Sequence, residues 1–435
     1  MRHLAAGCSA MTMGGVAGFL VVSPGLGLII VMALTAALSL WLLAPRVPPS
    51  VALLVAAAGC APAGAVRVVP AVTVSDVLLV LAVAALLLEG ANGRRALQGS
   101  GKHMVVAGLT TITLGALLSS LVNADAQGVS LLVRSSPVAA FTALVVWMVV
   151  RRRAHTVALA AAYAVGAATS TLAGQLLGYI NPVVGRSYGL GVDSNHFAFS
   201  CALAVAMAGY AGSETRSRGL RVLMVVAGAG ALAGVLLSGS RAGVVGAAAA
   251  LAFVAVPVVR AGVTATIASG TVSLGGIGAL MSTGSSTNAV ARLFGSTDDG
   301  ALSAQLSDDS REVLLQQLLT DLAQHPVVGV GWSRIREAHI HLLQVALGAG
   351  VMGLVGYLLV ITGFAASAWS LRRCPRAIPA AGAPAAFVAM GLGQNILWDR
   401  YVWMALGISL AVASITSVGD RAATLQRTPS PLQAA

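Results

Sequence analysis

Charged residues are scarce in this chain, since Asp, Glu, Lys and Arg make up only 9% of its 435 residues. A soluble domain has about 25% charged residues, so the composition excludes an ordinary soluble protein. Aromatic residues are also few, at 5%, whereas 57% of the residues are hydrophobic. Apolar runs of roughly 18–20 residues recur along the chain, and each can cross a bilayer core of about 30 Å. Because these runs are continuous and do not alternate, they predict transmembrane helices.

Cysteine is equally sparse. Cys8, Cys60, Cys201 and Cys374 are isolated from one another, and no CxxC pair occurs. The sequence therefore predicts neither a disulfide framework nor a zinc site.

The apolar runs predict an all-α polytopic membrane protein of about 14 transmembrane helices, in a range of roughly 12–14. The approximate spans are residues 5–22, 25–44, 50–66, 71–88, 104–122, 135–150, 156–177, 195–212, 221–237, 242–259, 263–281, 340–368, 381–398 and 402–418. We expect four regions: an N-terminal helical bundle (1–281), an extracytoplasmic loop (282–338), C-terminal transmembrane helices (339–420) and a tail (421–435). The first run lacks a cleavage site after it, so we interpret it as a retained span.

The distribution of charge predicts the orientation. With a cytoplasmic N-terminus, about two thirds of the 26 Lys and Arg residues fall on the inner side, whereas only Glu89, Glu214 and Asp420 of the 14 acids do. The positive-inside rule therefore predicts a multi-pass protein of the cytoplasmic membrane with both termini in the cytoplasm. This topology also accounts for the net charge of +12, and we expect no nucleic-acid partner.

Three outer segments carry most of the remaining polar residues. The first, Asn181 to Ser200, is rich in turn-forming residues and contains the polar side chains of Arg186, Asp193, Asn195 and His196. The second, "GVLLSGSRAGVVG", places Arg241 in a tight turn between two spans. An ionisable residue at that depth is a functional candidate, and the alternative is an arginine that snorkels to the membrane interface.

The third segment is the long loop. Its stretch "SDDSREVLLQQLLTDLAQHP" has leucines at helical spacing on one face: Leu314, Leu315, Leu318, Leu319 and Leu322. We expect an amphipathic helix that lies along the membrane surface or covers a cavity, ends at Pro326 and is followed by a turn in "VVGVGWSR". His339 and His341 then stand at the mouth of the next span. They point to different helix faces, so we expect one of them to be structural.

These outer groups suit one kind of chemistry. Arginine is permanently protonated, and its planar guanidinium group can donate two parallel hydrogen bonds to a phosphate. Histidine can accept a proton at neutral pH. Arginines could bind the diphosphate of a lipid-linked sugar and stabilise it as a leaving group, while a histidine deprotonates the attacking hydroxyl. The outer segments hold no DxD-type acidic motif, so we expect neither a metal nor a cofactor.

Three motifs resemble those of the O-antigen ligase and O-antigen polymerase superfamily of bacterial membrane glycosyltransferases, over about Val72 to Leu410. "SGSRAG" is similar to the family's serine-arginine helix start, and "GRSYGLGVDSNHFA" to its entry into a span. "HPVVGVG" followed by "AHIHLLQVALGAGVMG" is similar to its end-of-loop block. In the ligase form of that block, the order along the chain is a histidine, a small polar residue, nine further residues and then Gly-x-x-Gly. His339 stands at the histidine position of this pattern. Ile340 replaces the small polar residue, which is a departure from the ligases more than from the polymerases.

The resemblance implies a GT-C-like helical fold and an inverting, metal-independent transfer from an undecaprenyl-diphosphate-linked oligosaccharide on the outer face of the membrane. It implies that Arg186 and Arg241 bind the diphosphate and that His339 is the catalytic base. Arg311 is a weaker third cation. Further candidates are Asn195, His341, Asp399 and Arg400.

The expected partners are the lipid-linked donor, a glycan or lipid-linked acceptor, the bilayer and other polysaccharide-assembly membrane proteins. Polymerisation and ligation both stay open, for an exopolysaccharide or a cell-wall glycan. The main alternative is a transporter or flippase of such a lipid, which needs cations along a path open to both sides. A non-enzymatic partner in envelope assembly and a peptidoglycan-type polymerase of related architecture are two others.

Overall fold

The computed structural model describes residues 47–64, 67–69, 72–89, 100–180, 186–261, 312–334, 340–394, 397 and 399–427. Helices dominate these residues: α1 (Pro49–Cys60), α2 (Val74–Leu88), α3 (Ser100–Val122), α4 (Ala126–Val149), α5 (Arg153–Leu176), α6 (Ser194–Glu214), α7 (Arg218–Leu237), α8 (Arg241–Ala261), α9 (312–324), α10 (His341–Leu371), α11 (Gly382–Met390) and α12 (Arg400–Arg427). The predicted spans 5–22, 25–44 and 263–281 lie outside the described residues, as do most of the long loop and the end of the tail.

Six segments in the described part of the chain are long and apolar enough to cross a membrane. They are Gly101–Val122, Arg153–Leu176, Ser194–Glu214, Arg218–Leu237, His341–Leu371 and Arg400–Ser417. This confirms the coarse prediction of a helical membrane protein.

Several element boundaries differ from the prediction. The span expected over 50–66 ends at Cys60, and a two-stranded antiparallel sheet, β1 (Arg67–Val69) and β2 (Val72–Thr73), joins α1 to α2. The all-α prediction therefore misses this hairpin, whose β-branched residues favour an extended backbone. The span expected over 381–398 is also shorter, with a 3₁₀ turn (Ile378–Ala381) before α11 and glycines soon after it.

The largest helix-helix contact joins α3 to α10 in antiparallel orientation through glycines. A Cβ atom on Gly108 would lie 2.4 Å from the carbonyl oxygen of Gly356, and one on Gly363 would lie 2.6 Å from that of Gly101. The opposing atoms belong to the backbone, so they cannot move aside as a side chain would. Small residues at this spacing let two membrane helices pack backbone to backbone.

Helix α10 is broken at Gly350, which has φ 58° and ψ −146°. In an uninterrupted helix the Val351 N–H would donate to the Leu347 carbonyl four residues earlier. Here the Leu347 carbonyl accepts from the Val330 N–H at 2.7 Å, and the Val351 N–H donates to the Val327 carbonyl at 3.1 Å. The turn that follows α9 thus satisfies the backbone groups that the break exposes, as buried irregular backbone in a membrane protein requires.

The contacts define two ends of the bundle. The loop end contains the C-terminus of α3 and the beginnings of α6, α8, α10 and α12, with the turn after α9 docked on it. The arginine end contains the beginnings of α3, α5 and α7 and the C-termini of α6 and α10, where Arg153 pairs with Glu214 and the Ser213 hydroxyl donates to the Arg376 carbonyl at 2.5 Å. Among the residues that are expected on the outer side and that the structure describes, Arg186, Arg241 and Asp399 lie at the loop end.

Candidate functional site

The tight turn between α7 and α8 is built from Ser238, Gly239 and Ser240. Gly239 has φ 62°, a conformation that side chains rarely adopt. Both serines are buried: the Ser238 hydroxyl accepts the Ser240 N–H at 3.1 Å, and the Ser240 hydroxyl caps α8 by accepting the Gly243 N–H at 3.3 Å. The turn is therefore held by its own serines, and it makes Arg241 the first residue of α8.

Arg186 docks directly on this turn. Its Nε donates to the Ser238 carbonyl at 2.6 Å, and its Nη2 donates to the Asn195 side-chain oxygen at 2.7 Å. The next residue adds a backbone contact, because the Ser187 N–H donates to the Leu237 carbonyl at 2.9 Å. These two hydrogen bonds, to a backbone carbonyl and a side-chain amide, orient the fork of the guanidinium.

The structure thereby brings two predicted cations, Arg186 and Arg241, to one turn, with Asn195 beside them. Arg241 is exposed there, at the first position of its helix. The N–H groups of Ser240 and Gly243 are already used by serine hydroxyls. An anion at this turn would therefore meet the guanidinium of Arg241 rather than those two amides.

A glycine turn after α11 links this site to the start of α10. A Cβ atom on Gly393 would lie 3.6 Å from the Cβ of Ala242, next to Arg241. Two residues earlier, the Gly391 carbonyl accepts the His341 N–H at 2.8 Å. The first turns of α8 and α10 are therefore neighbours of the same short segment.

Gln394 ends that segment and was not predicted as a site residue. Its side chain is only 8% exposed, and its Oε1 accepts no hydrogen bond within the described part of the chain. A buried amide oxygen without a donor is uncommon in native proteins and deserves a functional explanation. Only its position beside two glycines in "GLGQN" distinguishes it in the sequence, which is a weak signal.

His341, one of the further candidates, occupies a packing position. Its side chain is fully buried, its ring centroid lies 4.9 Å from that of Phe387, and the Tyr357 hydroxyl lies 3.4 Å from its Nδ1. A Cβ atom on Gly391 would approach this Nδ1 to 2.2 Å, so the glycine is needed for the contact. These contacts hold the His341 ring in the packed interior between α10 and α11.

Asp399 and His196 form a second polar cluster at the loop end. The His196 Nδ1 lies 2.9 Å from Asp399 Oδ2 and its Nε2 lies 3.3 Å from Asp193 Oδ2, while the Tyr401 hydroxyl donates to Asp399 at 3.1 Å. Asp193 also caps α6 by accepting the N–H groups of Asn195 and His196. The cluster joins the beginning of α12 to the beginning of α6. Asn195, which accepts a hydrogen bond from Arg186, is the neighbour of His196 in the sequence.

Arg400 lies outside this cluster because it forms an ion pair with Asp76 at the start of α2. This pair compensates its charge and ties α12 to α2. A paired arginine is a weaker ligand for a diphosphate than one whose charge is available to it.

The turn after α9 docks on the end of α3 through side chains at the start of α4. The Ser333 N–H donates to Asp125 Oδ2 at 2.8 Å, and the same carboxylate accepts the Gly128 N–H at 2.8 Å as the cap of α4. Burial alone would raise the pKa of Asp125, but the hydrogen bonds from Ser333 and Gly128 and the charge of Arg334 outweigh it and lower that pKa. The carboxylate is therefore held ionised, and it fixes the end of the long loop.

The predicted amphipathic helix of the loop is present as α9, residues 312–324, and it ends before Pro326 as expected. Leu314, Leu315, Leu318 and Leu322 pack against the core. Leu319 is an exception, being 50% exposed, because the buried face is narrower than the leucine pattern suggests.

Two residues of the predicted site, Arg311 and His339, lie outside the described residues. His339 immediately precedes Ile340, the residue before α10. Its assignment as the catalytic base, and that of Arg311 as a third cation, stay predictions.

Within the residues that the structure describes, no group of three His, Cys, Asp or Glu side chains is arranged to hold a metal ion. A comparison with models of known protein families finds none that matches this chain, and a comparison with curated proteins finds none either.

Proposed function

We propose that this protein is a membrane glycosyltransferase that polymerises or ligates an undecaprenyl-diphosphate-linked oligosaccharide on the outer face of the cytoplasmic membrane. The observation that carries the proposal is that Arg186 and Arg241 meet at one turn, where the Ser238 carbonyl and the Asn195 side chain orient the Arg186 fork. Two guanidinium groups at one turn supply the positive charge that binding a diphosphate requires. The proposal includes about 14 spans, both termini in the cytoplasm and the loop end facing outward.

The reaction would proceed by displacement at the anomeric carbon of the donor sugar. A hydroxyl of the acceptor glycan attacks this carbon, the bond to the diphosphate oxygen breaks, and the proton of the hydroxyl goes to His339. The negative charge that grows on the leaving lipid diphosphate is stabilised by Arg186 and Arg241, and a preorganised cation at such a position is a large contributor to catalysis. No metal is needed where arginines fill this role.

The distribution of charge supports an enzyme over a flippase. A flippase needs polar groups along a path that reaches both sides of the membrane. Among the described residues, Arg186, Arg241 and the His196–Asp399 cluster lie at the loop end, whereas Lys102 and the ion pair of Arg153 with Glu214 lie at the arginine end, so the candidate diphosphate ligands are confined to one end.

A transfer assay tests this proposal. Purified protein in detergent is incubated with a lipid-linked oligosaccharide donor, and the products are separated by size. A ladder of products indicates a polymerase, and a single added unit indicates a ligase. We expect Arg186→Ala and Arg241→Ala each to lower the rate by about 100-fold, the cost of losing one preorganised group that stabilises transition-state charge.

The matched control is Arg67→Ala, an exposed arginine at the hairpin between α1 and α2. It removes the same charge without touching the turn, so its rate should stay within about two-fold of the native rate, as for most surface substitutions. Full activity of folded Arg186→Ala and Arg241→Ala proteins would refute the site.

The proposed orientation has a test of its own. A cysteine placed near Gly300 should be labelled from outside intact cells, and labelling only after lysis would contradict an outward-facing loop.

A further inference from the structure

The arginine end of the bundle carries a dense group of exposed cations. Arg151, Arg152, Arg218, Arg221, Arg372 and Arg373 are all exposed there. Juxtamembrane basic residues attract the anionic lipid headgroups of the facing leaflet. This end is therefore a membrane surface at which anionic phospholipids accumulate.

One cation at this end is not on the surface. Lys102, near the beginning of α3, is only 8% exposed, and its Nζ lies 4.3 Å from the centre of the Trp147 ring. No carboxylate among the described residues pairs with it. Burying an ammonium group costs free energy, and contact with an aromatic face returns only a part of it. An anionic ligand beside Lys102 would offset this cost.

A narrow cleft with a volume of about 20 Å³ lies beside this lysine, between α3, α10 and α12. Its polar lining consists of Lys102 and the hydroxyls of Ser367, Ser370, Ser414 and Ser417. Each of these hydroxyls donates to a carbonyl of its own helix, such as Ser367 to Gly363 at 2.8 Å. A hydroxyl proton can rotate from such a carbonyl to an incoming anion, so the cleft offers one fixed charge and several donors.

The cleft lies at the depth of lipid headgroups. Charged residues bound the apolar segments of these helices in the sequence: Arg94 and Arg95 precede α3, Arg372 and Arg373 follow α10, and Asp420 and Arg421 lie near the end of α12. The cleft residues Lys102, Ser370 and Ser417 each lie within about two helical turns of these charges along the chain. A wider groove beside Arg153 is less suited to an anion, because that arginine is already paired with Glu214.

We propose that this cleft binds a phosphate group, and that its source is the headgroup of an anionic phospholipid. A phosphate oxygen would pair with the Lys102 ammonium and accept hydrogen bonds from the serine hydroxyls, while the acyl chains lie along the apolar surfaces of α3 and α10. Pockets of basic residues between transmembrane helices bind anionic headgroups in this way. The site lies at the opposite end from Arg186 and Arg241, so it does not depend on the proposed transfer reaction.

Native mass spectrometry of the full-length protein in detergent tests the proposal with three probes. Dioctanoyl phosphatidylglycerol supplies a lipid phosphate, inorganic phosphate a free one, and dioctanoylglycerol the acyl chains alone. We expect saturable binding of phosphatidylglycerol only, and a Kd about five-fold or more weaker in Lys102→Gln. The control is Arg218→Gln, which removes an exposed charge at the same end away from the cleft, and should bind within about two-fold of the native protein.

Three outcomes would overturn the proposal. Equal weakening by Arg218→Gln would indicate diffuse surface attraction. If dioctanoylglycerol binds as tightly as phosphatidylglycerol, the phosphate does not contribute to binding. If inorganic phosphate displaces the lipid at a similar concentration, the site binds a soluble phosphate rather than a lipid headgroup. If Lys102→Gln does not fold, Ser370→Leu provides the test instead, because its side chain fills the cleft and leaves the lysine in place. Unchanged phosphatidylglycerol binding in that variant would also refute the site.

Discussion

Asp125 offers a direct test of how the end of the long loop is held. Its carboxylate accepts the Gly128 N–H as the cap of α4 and the Ser333 N–H of the turn after α9, both at 2.8 Å. Loss of an N-cap costs about 1 kcal/mol, and loss of a hydrogen bond to a charged group costs about 1.5–3 kcal/mol. Asp125→Ala should therefore favour local opening of this turn by about 2–4 kcal/mol, or about 30- to 1,000-fold.

Hydrogen exchange followed by mass spectrometry measures this opening. In the Asp125→Ala protein the amides of Gly331, Trp332 and Ser333 should exchange faster by that factor, while amides in the middle of α6 keep their native rate. Asp125→Asn should have a smaller effect, because asparagine also caps helices but carries no charge. Asp321→Ala, an acid on α9, is the control. Native exchange at these three amides in Asp125→Ala would refute the proposed docking.

The same carboxylate predicts a response to pH. Its pKa is lower in the folded protein than in the unfolded chain because Ser333 and Gly128 donate to it and Arg334 lies near. The stabilisation is therefore complete above the ordinary pKa of about 3.9 and is lost as the pH falls through the lower folded value. Protection of the turn should fall in acid in the native protein, and this acid-dependent part should be absent from Asp125→Asn.

Three further predictions concern the packing and the arginine turn. Gly108→Leu should abolish folding because its side chain would meet the backbone of α10, whereas Ala107→Leu, on the exposed face of the same helix, should leave the thermal unfolding temperature within a few degrees of native. Gly391→Ala should destabilise the native protein by about 1–3 kcal/mol, but less in a His341→Ala background; equal costs in both would contradict the contact. Arg186→Lys keeps the charge but loses the two-pronged contact, so transfer should fall about ten-fold or more; a rate within two-fold of native would mean that charge alone suffices.

The sequence predicted local features well because they depend on neighbours along the chain. The stop of α9 before Pro326 follows from the missing N–H of proline and its steric effect on the residue before it, and the serine-rich start of α8 follows from the preference for serine as a cap. The hydrophobic runs located most of the described helices to within several residues. The hairpin after α1 was missed, because a short β-branched stretch is ambiguous when it continues an apolar run.

Contacts between distant segments could not be predicted in this way. The pairing of His196 with Asp399 and of Arg400 with Asp76 depends on how α6, α2 and α12 pack. Spacing along one helix contains no information about such partners. The glycines of "HPVVGVG" and "GAGVMG" were recognised as a pattern, but only the structure explains them, since Gly329 and Gly350 carry positive φ where the two segments exchange backbone hydrogen bonds.

The break at Gly350 has a consequence for the proposed reaction. The beginning of α10 is held by the bond from the His341 N–H to Gly391 and by the bond from Val330 to Leu347, rather than by the part of the helix that packs on α3. The break lets this first segment take its own direction beside the Arg241 turn, with His339 just before it. A Cβ atom on Gly350 would lie 2.0 Å from the Val327 carbonyl. Gly350→Ala should therefore displace the start of α10 and lower transfer about ten-fold or more without altering either arginine. Native transfer by a folded Gly350→Ala protein would mean that the position of this helix start does not matter to the reaction.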